Sequence, residues 1–171
     1  GVFSRKGCFR ANKQDKRYSF IYQAEGEKYF FSPSLRGEHQ GKNAAVAIVA
    51  AEKLSANWKR LKKKRIIEGI EKARWDGRLE VLSQNPLLIL DGAHNCEGAQ
   101  ALKKYIEDFL PAPFILVFAV MRDKEIAKIA DILFPQAEKV IITRFPSPRC
   151  ASPEEIMAAT QKFKDRIILE P

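Results

Sequence analysis

From residue 87 onward, short apolar runs alternate along the chain with stretches of helical spacing. The strands expected from these runs span residues 87–90, 114–120, 139–145 and 166–169. A buried parallel strand reads as a continuous apolar run, and a crossover helix leads from one such strand to the next. The pattern therefore predicts an α/β fold with a right-handed, mostly parallel sheet flanked by helices.

Three helices are expected between these strands, at about residues 97–110, 123–134 and 152–163. The third has a capping serine, a proline in its first turn and two early acids, which together favour a helix start. The first carries apolar residues at the spacing of a core-facing stripe, namely Ala101, Leu102, Tyr105, Ile106 and Phe109.

The first half of the chain has a different pattern. Residues 17–23 and 28–31 are rich in aromatic and β-branched residues and predict a hairpin that turns at Glu25–Glu27. The alanine-rich run 44–51 predicts a helix that is buried nearly all round. A short helix at 66–73 follows, and residues 79–82 are expected to pair antiparallel with 87–91. We place the domain boundary between residues 1–74 and 75–171.

The five residues from Asp91 to Asn95 follow the apolar run 87–90 directly. The carboxyl end of a strand in an open α/β sheet is where such folds bind ligands. There Asp91 can accept hydrogen bonds from the two hydroxyls of a ribose, and His94 and Asn95 can face a phosphate or a second substrate. The alternative is that Asp91 caps the next helix and His94 is an ordinary turn residue.

Gln40 and Asn43 are three residues apart and are expected on one face of a helix. Each carboxamide offers a donor and an acceptor, which suits the edge of a purine base. Two capping residues would give the same pattern, and for an isolated pair that interpretation is favoured.

The net charge of +9 raises the question of a nucleic-acid partner. Much of the excess lies in the basic run Lys59–Arg65, which has one aromatic neighbour, Trp58. A solvated helix end explains it better than a nucleic-acid patch. The three cysteines are widely spaced and predict free thiols and a cytoplasmic location. No apolar run is long enough to span a membrane, so we expect no membrane partner.

Four motifs occur in order along the chain: Gly37–Ala44, Trp75–Glu80, Asp91–Asn95 and Asp123–Lys124. Together with Pro148-Arg149 they resemble folylpolyglutamate synthase/dihydrofolate synthase, a family of Mur-type ATP-dependent ligases. The resemblance covers about residues 35–171. It implies a Rossmann-like C-terminal ligase domain preceded by the tail of a P-loop ATPase domain.

The resemblance also implies roles for individual residues. Gln40 and Asn43 correspond to the amides that face adenine, Arg78 to the linker arginine that reaches the phosphates, and Asp91 to the ribose carboxylate. His94 falls beside the nucleotide and the catalytic centre. Lys124 falls where related ligases meet the carboxylate of the incoming amino acid, and we expect it to open a helix.

The implied reaction converts a substrate carboxylate to an acyl phosphate, which the amine of glutamate attacks to give an amide, ADP and phosphate. ATP, Mg²⁺, glutamate and folate or dihydropteroate are the implied cofactors and substrates, and we expect a monomer. Because no GxxxxGK[ST] occurs in the sequence, we expect the phosphate cradle and the metal ligands to lie upstream of Gly1, and this chain alone to be inactive. No metal ligand is assigned within the chain.

The sequence departs from the family pattern at Asp76 and Cys96, where proline is usual. Three alternatives stay open at this point. The first is another Mur-type ligase, acting on a peptidoglycan precursor or on cyanophycin. The second is a non-catalytic Rossmann-like module that binds a nucleotide or, through the basic run, a nucleic acid. The third is a dinucleotide-binding domain, which ranks last because no GxGxxG follows a strand.

Overall fold

The structure, a computed structural model, describes residues 7–14, 17–24 and 27–169, with the side chains of 7–11, 13, 14 and 24 left out. The chain divides into two units, Gly1–Asp91 and Gly92–Pro171. The division therefore falls after the Leu87–Asp91 segment, whereas the boundary expected from the sequence lies near residue 75; that boundary stays a prediction. Within the described residues, no helix is both long and apolar enough to cross a membrane.

The first unit contains an antiparallel sheet of three strands in the order β1-β2-β3. The strands are β1 (Gly7–Gln14), β2 (Arg17–Ala24) and β3 (Glu27–Phe31). Pairing of β2 with β3 confirms the predicted hairpin, although Glu25 and Gly26 of its turn lie outside the described residues. Alternate aromatic residues fill one face of the sheet, as a period of two requires: Tyr18, Phe20, Tyr22, Tyr29 and Phe31 are all buried.

Helix α1 (His39–Ser55) packs a single face against this sheet. Its buried residues are Gln40, Gly41, Ala44, Ala45 and Ile48, which recur at helical spacing. Val46 is 47% exposed, so the prediction of a helix buried all round was wrong. The physical reason is that alanine signals helix propensity rather than burial, and a helix on one sheet face buries one stripe.

Helix α2 (Lys63–Lys72) begins three residues before the predicted start and takes in part of the basic run. Lys63 Nζ lies 2.7 Å from Glu27 Oε2 and 5.1 Å from the centre of the Tyr29 ring. This lysine is therefore engaged within the first unit.

Strands β4 (Glu80–Gln84) and β5 (Leu87–Leu90) form an antiparallel two-stranded sheet, as their spacing predicts. The expectation that residues 87–90 form a buried strand of the parallel sheet was wrong. β5 pairs with β4, and Leu87, Leu88 and Leu90 are about half exposed. The tight turn before Pro86 brings β4 alongside β5, and a short apolar run does not specify which partner it pairs with.

The second unit contains a parallel three-stranded sheet in the order β6-β7-β8, flanked by helices, which confirms the predicted α/β class. The strands are β6 (Ile115–Phe118), β7 (Lys139–Ile142) and β8 (Ile167–Leu169). The helices are α3 (Cys96–Phe109), α4 (Ile126–Leu133) and α5 (Pro153–Ala159).

The core of the second unit lies on the face of the sheet that carries Phe118, Val140 and Ile142. Phe134 meets the Phe118 ring edge-on at 5.2 Å between ring centres. In α3 the buried residues are Ala99, Tyr105 and Ile106, whereas Ala101, Leu102 and Phe109 of the predicted stripe are half buried.

Both ends of helix α5 follow from identifiable residues. Ser152 and Glu155 form a complete capping box at the start of α5, as the sequence predicts. This helix ends at Ala159 rather than near Phe163, because Thr160 leaves helical geometry with φ −126°. A 3₁₀ segment, Gln161–Arg166, replaces the expected last turn.

Candidate functional site

The structure brings the two predicted carboxamides together in a group that we call the amide cluster: His39, Gln40 and Asn43. Asn43 Nδ2 donates to Gln40 Oε1 at 3.0 Å, and Gln40 Nε2 lies 3.0 Å from His39 Nε2. Gln40 is 7% exposed, whereas Asn43 is exposed. Asn43 is therefore the member that can present its amide to a ligand.

His39 is held where its charged form is disfavoured. Burial lowers the pKa of His39 below its usual value, and the nearby Arg78 acts in the same direction, while Asp91 opposes both. Its Nδ1 is buried without a hydrogen-bond partner in the described part of the chain. The surroundings of the ring therefore favour its neutral form.

Asp91 and Arg78 are linked through the backbone of Leu79. The Leu79 N–H donates to Asp91 Oδ2 at 2.9 Å, and Leu79 is a buried non-glycine residue with φ +48°. The Leu79 N–H thus occupies a lone pair on one of the two Asp91 carboxylate oxygens. The neighbouring Arg78 is exposed, which leaves its guanidinium open to an anion.

His94 and Asn95 lie at the start of the second unit. His94 Nδ1 is 2.8 Å from the carbonyl oxygen of Gly92, so Nδ1 donates to that oxygen and Nε2 is the ring nitrogen that this exposed side chain can offer to a ligand. Asn95 is the N-cap of α3, with Oδ1 accepting from the Gly98 N–H at 2.7 Å. The cap of this helix is therefore Asn95 and not Asp91.

Lys124 belongs to a second group of residues, the charge cluster: Asp123, Lys124 and Arg149. Arg149 Nη2 lies 3.1 and 3.0 Å from the two oxygens of Asp123, and Lys124 Nζ lies 3.3 Å from Asp123 Oδ2. The Arg149 guanidinium is the main reason that the pKa of Asp123 lies below its usual value. Asp123 is thus a carboxylate shared by two cations.

The position of Lys124 corrects the sequence prediction. Helix α4 begins at Ile126, so Lys124 lies in the turn before the helix rather than in its first turn. A cation within the first turn would oppose the helix dipole, whereas here Asp123 balances the charge. Lys124 and His94 belong to the second unit, while Gln40, Asn43, Arg78 and Asp91 belong to the first.

Backbone hydrogen bonds hold the turn before α4 against the loop after β7. The Arg122 N–H donates to the Arg149 carbonyl at 2.9 Å, and Met121 forms an antiparallel bridge with Cys150. The charge cluster is therefore supported by backbone rather than by side chains alone.

Cys96 stands in the first turn of α3 and contacts the N-cap of α4. Its Sγ lies 3.5 Å from Glu125 Oε2, and Glu125 is also paired with Lys128. Burial and then this hydrogen bond raise the pKa of the thiol, which disfavours the thiolate. Cys96 and Cys150 are both free, in agreement with the sequence, while the side chain of Cys8 lies outside the description.

Within the described residues, His, Cys, Asp and Glu side chains form no group of three that could hold a metal ion. The groups that could hold a nucleotide are of another kind, namely carboxamides, an exposed guanidinium and a carboxylate.

Sequence reasoning missed two participants. His39 lies inside the Gly37–Ala44 motif but was assigned no role from the sequence. Its position next to Gln40 is the feature that could have identified it. Arg149 was noted without a function, and only the fold reveals its pairing with Asp123, 26 residues away.

The comparisons with known proteins identify the family of the chain. The family "Mur ligase, glutamate ligase domain" matches residues 77–170. The match covers more than half of the chain, and the chain belongs to this family of ligases.

Two relatives illustrate the similarity. The dihydrofolate synthase/folylpolyglutamate synthase of Bacillus subtilis is 33% identical over 130 residues, which are 75% of this chain and 30% of that protein. The structure of Mycobacterium tuberculosis folylpolyglutamate synthase complexed with ADP is 27% identical, with a TM-score of 0.84 over 95% of this chain and 37% of that one.

A third similarity is to the folylpolyglutamate synthase structure from Thermotoga maritima, with 30% identity and a TM-score of 0.72 over 95% of this chain and 39% of that chain. The chain thus spans between 30% and 39% of the length of these three proteins.

Proposed function

We propose that this chain works as the C-terminal part of an ATP-dependent ligase that adds glutamate to the carboxylate of a folate or dihydropteroate. The observation that carries the proposal is the coincidence of the family match over residues 77–170 with two ready polar groups, the amide cluster and the Leu79–Asp91 contact. The relatives named above are dihydrofolate and folylpolyglutamate synthases, and one of them is complexed with ADP.

The first unit supplies the groups for the nucleoside. Asn43, oriented by Gln40, would read the adenine edge, and Asp91 would accept hydrogen bonds from the ribose hydroxyls. Arg78 would neutralise phosphate charge through charge-assisted hydrogen bonds. ATP, when bound, supplies the phosphoryl group that activates the substrate carboxylate.

The second unit supplies groups for the reacting centre. His94, whose Nε2 points away from the Gly92 carbonyl, would lie beside the nucleotide and accept or donate a hydrogen bond there. Lys124 would contact a carboxylate of the incoming glutamate. The charge of Lys124 is already balanced by Asp123. A carboxylate of the substrate would therefore compete with Asp123 for Lys124, while Arg149 keeps Asp123 in place.

The chemistry of amide formation fits such groups. The carboxylate is activated as an acyl phosphate, the glutamate amine attacks its carbonyl carbon, and phosphate leaves with the bonding electron pair. Positioning and neutralisation of negative charge dominate the rate of this kind of reaction. The residues of this chain bind and orient, and we assign no proton transfer to them.

The other partners stay proposals as well. We propose that the Mg²⁺ ligands lie outside this chain, as the family resemblance implies. We also propose a cytoplasmic monomer without membrane or nucleic-acid partner. The engagement of Lys63 with Glu27 supports a structural role for part of the basic run.

The proposal is tested on the ligase that contains this chain. ADP formation should require ATP, glutamate and a folate or dihydropteroate together. Lys124→Ala should raise the KM for glutamate about tenfold, equivalent to about 1.4 kcal/mol, with a much smaller effect on the KM for ATP. Lys128→Ala, which removes a nearby exposed lysine paired with Glu125, is the control and should leave the glutamate KM unchanged.

If Lys124→Ala changed the KM for glutamate and the KM for ATP equally, the placement of Lys124 in the glutamate pocket would be contradicted. ADP formation that depends on a peptidoglycan precursor instead of a folate would assign the chain to another Mur-type ligase.

A further inference from the structure

The amide cluster is a chain of hydrogen bonds that has a direction. Gln40 contacts His39 through its nitrogen and accepts from Asn43 through its oxygen. A carboxamide donates only through nitrogen and accepts only through oxygen, so turning one group over forces the next to turn as well. The direction of the whole chain therefore depends on whether the histidine at its end accepts or donates.

The orientation of the Gln40 amide makes Nε2 of His39 the accepting nitrogen, because the Gln40 nitrogen that faces it can only donate. A neutral imidazole carries one hydrogen, and with Gln40 donating to Nε2 that hydrogen is on Nδ1. Among the described residues no group bonds to Nδ1. Protonation, which would put a hydrogen on Nε2 and oppose Gln40, is disfavoured because burial lowers the pKa of His39.

A glycine makes room for the ring. Gly37 has φ +100°, and a Cβ at this position would lie 2.6 Å from His39 Cε1 and 2.8 Å from Nδ1. Both the backbone conformation and the space require glycine here. A side chain at residue 37 would therefore displace the His39 ring.

Burial divides the roles within the cluster. Gln40 is 7% exposed and uses its oxygen and one amide hydrogen inside the cluster. Asn43 is exposed, and with one hydrogen given to Gln40 it offers Oδ1 and its second hydrogen to a ligand. An acceptor next to a donor on one carboxamide matches the N6 amino group and N7 of adenine.

We propose that His39 is a positioning residue for base selection: through Gln40 it fixes the Asn43 amide so that the chain selects a 6-amino purine over a 6-oxo purine. This inference rests on the proposed function, which places the base of ATP at Asn43. If the chain of bonds were reversed, Asn43 would turn a donor toward position 6 and would favour an oxo group.

The test compares ATP with ITP, which carries an oxo group at position 6, in the ligase that contains this chain. The ratio of the two KM values is measured for the parent, His39→Leu and His39→Gln, together with the KM for glutamate. The parent should prefer ATP. His39→Leu, which lacks the acceptor, should reduce the preference about tenfold and leave the glutamate KM unchanged. His39→Gln, which can place an oxygen where Nε2 was, should keep most of it.

The inference is overturned if His39→Leu keeps the ATP preference within twofold of the parent, or if His39→Gln loses as much as His39→Leu. His39→Phe, a ring of similar size without a nitrogen, makes the same comparison if the leucine variant unfolds. A parent that uses ATP and ITP equally would also overturn the inference. A parent that binds neither nucleotide would instead refute the proposed function.

Discussion

At the scale of single residues, one carboxylate supports the backbone of Leu79. This buried residue has φ +48°, a conformation that a branched side chain rarely adopts, and its N–H is satisfied by Asp91 Oδ2. Asp91 therefore has a structural task beside its proposed contact with the ribose.

Replacing Asp91 should separate these two tasks. Asp91→Ala leaves the Leu79 N–H without its acceptor and should lower the free energy of unfolding by about 1–3 kcal/mol. It should also raise the KM for ATP. Asp91→Asn keeps an acceptor oxygen and is the control, with most of the stability retained. Urea unfolding and steady-state kinetics measure the two effects, and unchanged stability in the alanine variant would contradict the role of the hydrogen bond.

The lowered pKa of His39 predicts how the stability of the folded chain depends on pH. Burial lowers the pKa of His39 in the folded chain, whereas the unfolded residue titrates near its usual value of about 6.5. Between these two values the unfolded state binds more protons, so acid favours unfolding there. The stability that depends on neutral His39 is therefore fully present above about pH 6.5, and it is lost as the pH falls from there toward the pKa of His39 in the folded chain.

Urea unfolding of the parent and of His39→Gln at pH 7.5, 6.5 and 5.5 checks this expectation. The parent should lose more stability than the variant between pH 6.5 and 5.5, because glutamine does not titrate. Parallel curves for the two proteins would show that the histidine is not the group responsible.

At the scale of elements, the contact of α1 with β2 depends on a glycine. A Cβ on Gly41 would lie 2.3 Å from the Phe20 ring, and Phe20 is itself 2% exposed. Neither the helix nor the strand can move away without opening the core of the first unit.

Gly41→Ala should therefore destabilise the chain by about 1–3 kcal/mol, the usual cost of overpacking a core. Gly69→Ala in α2 is the matched control, because a Cβ there meets nothing within 4 Å. That change should stabilise by about 0.5–1 kcal/mol through helix propensity. Thermal unfolding measures both, and equal shifts in the same direction would refute the close contact.

At the scale of the whole molecule, the second unit has its own core. The residues of this core all lie between Ala99 and Ile156 in the chain, with Ile129 and Val140 fully buried. A unit with a core of its own is able to fold alone.

Residues 92–171 expressed alone should therefore unfold cooperatively in urea, followed by far-UV circular dichroism. Ile129→Ala should cost about 2–5 kcal/mol in this piece and in the 171-residue chain alike. Ile168→Ala, at a position that is 41% exposed, serves as the surface control and should cost far less. A gradual transition without a midpoint would show that the second unit needs the first.

The sequence by itself determined the α/β class, the β2–β3 and β4–β5 pairings and the capping box at Ser152. These features depend on neighbours within a few residues, whose spacing and side-chain chemistry are visible in the chain. The pairing of Gln40 with Asn43 was predictable for the same reason, since residues three apart on a helix must meet.

Only the tertiary structure decided that β5 stays out of the parallel sheet, which face of α1 is buried and what surrounds Lys124. Each of these depends on contacts between residues that are distant in sequence: Arg149 reaches Asp123 across 26 positions, and the Phe20 ring meets Gly41 across 21. An apolar run or a lone lysine looks the same whatever lies opposite it. How deeply a residue is buried and which charged groups lie near it depend on its surroundings, and only the fold determines these surroundings.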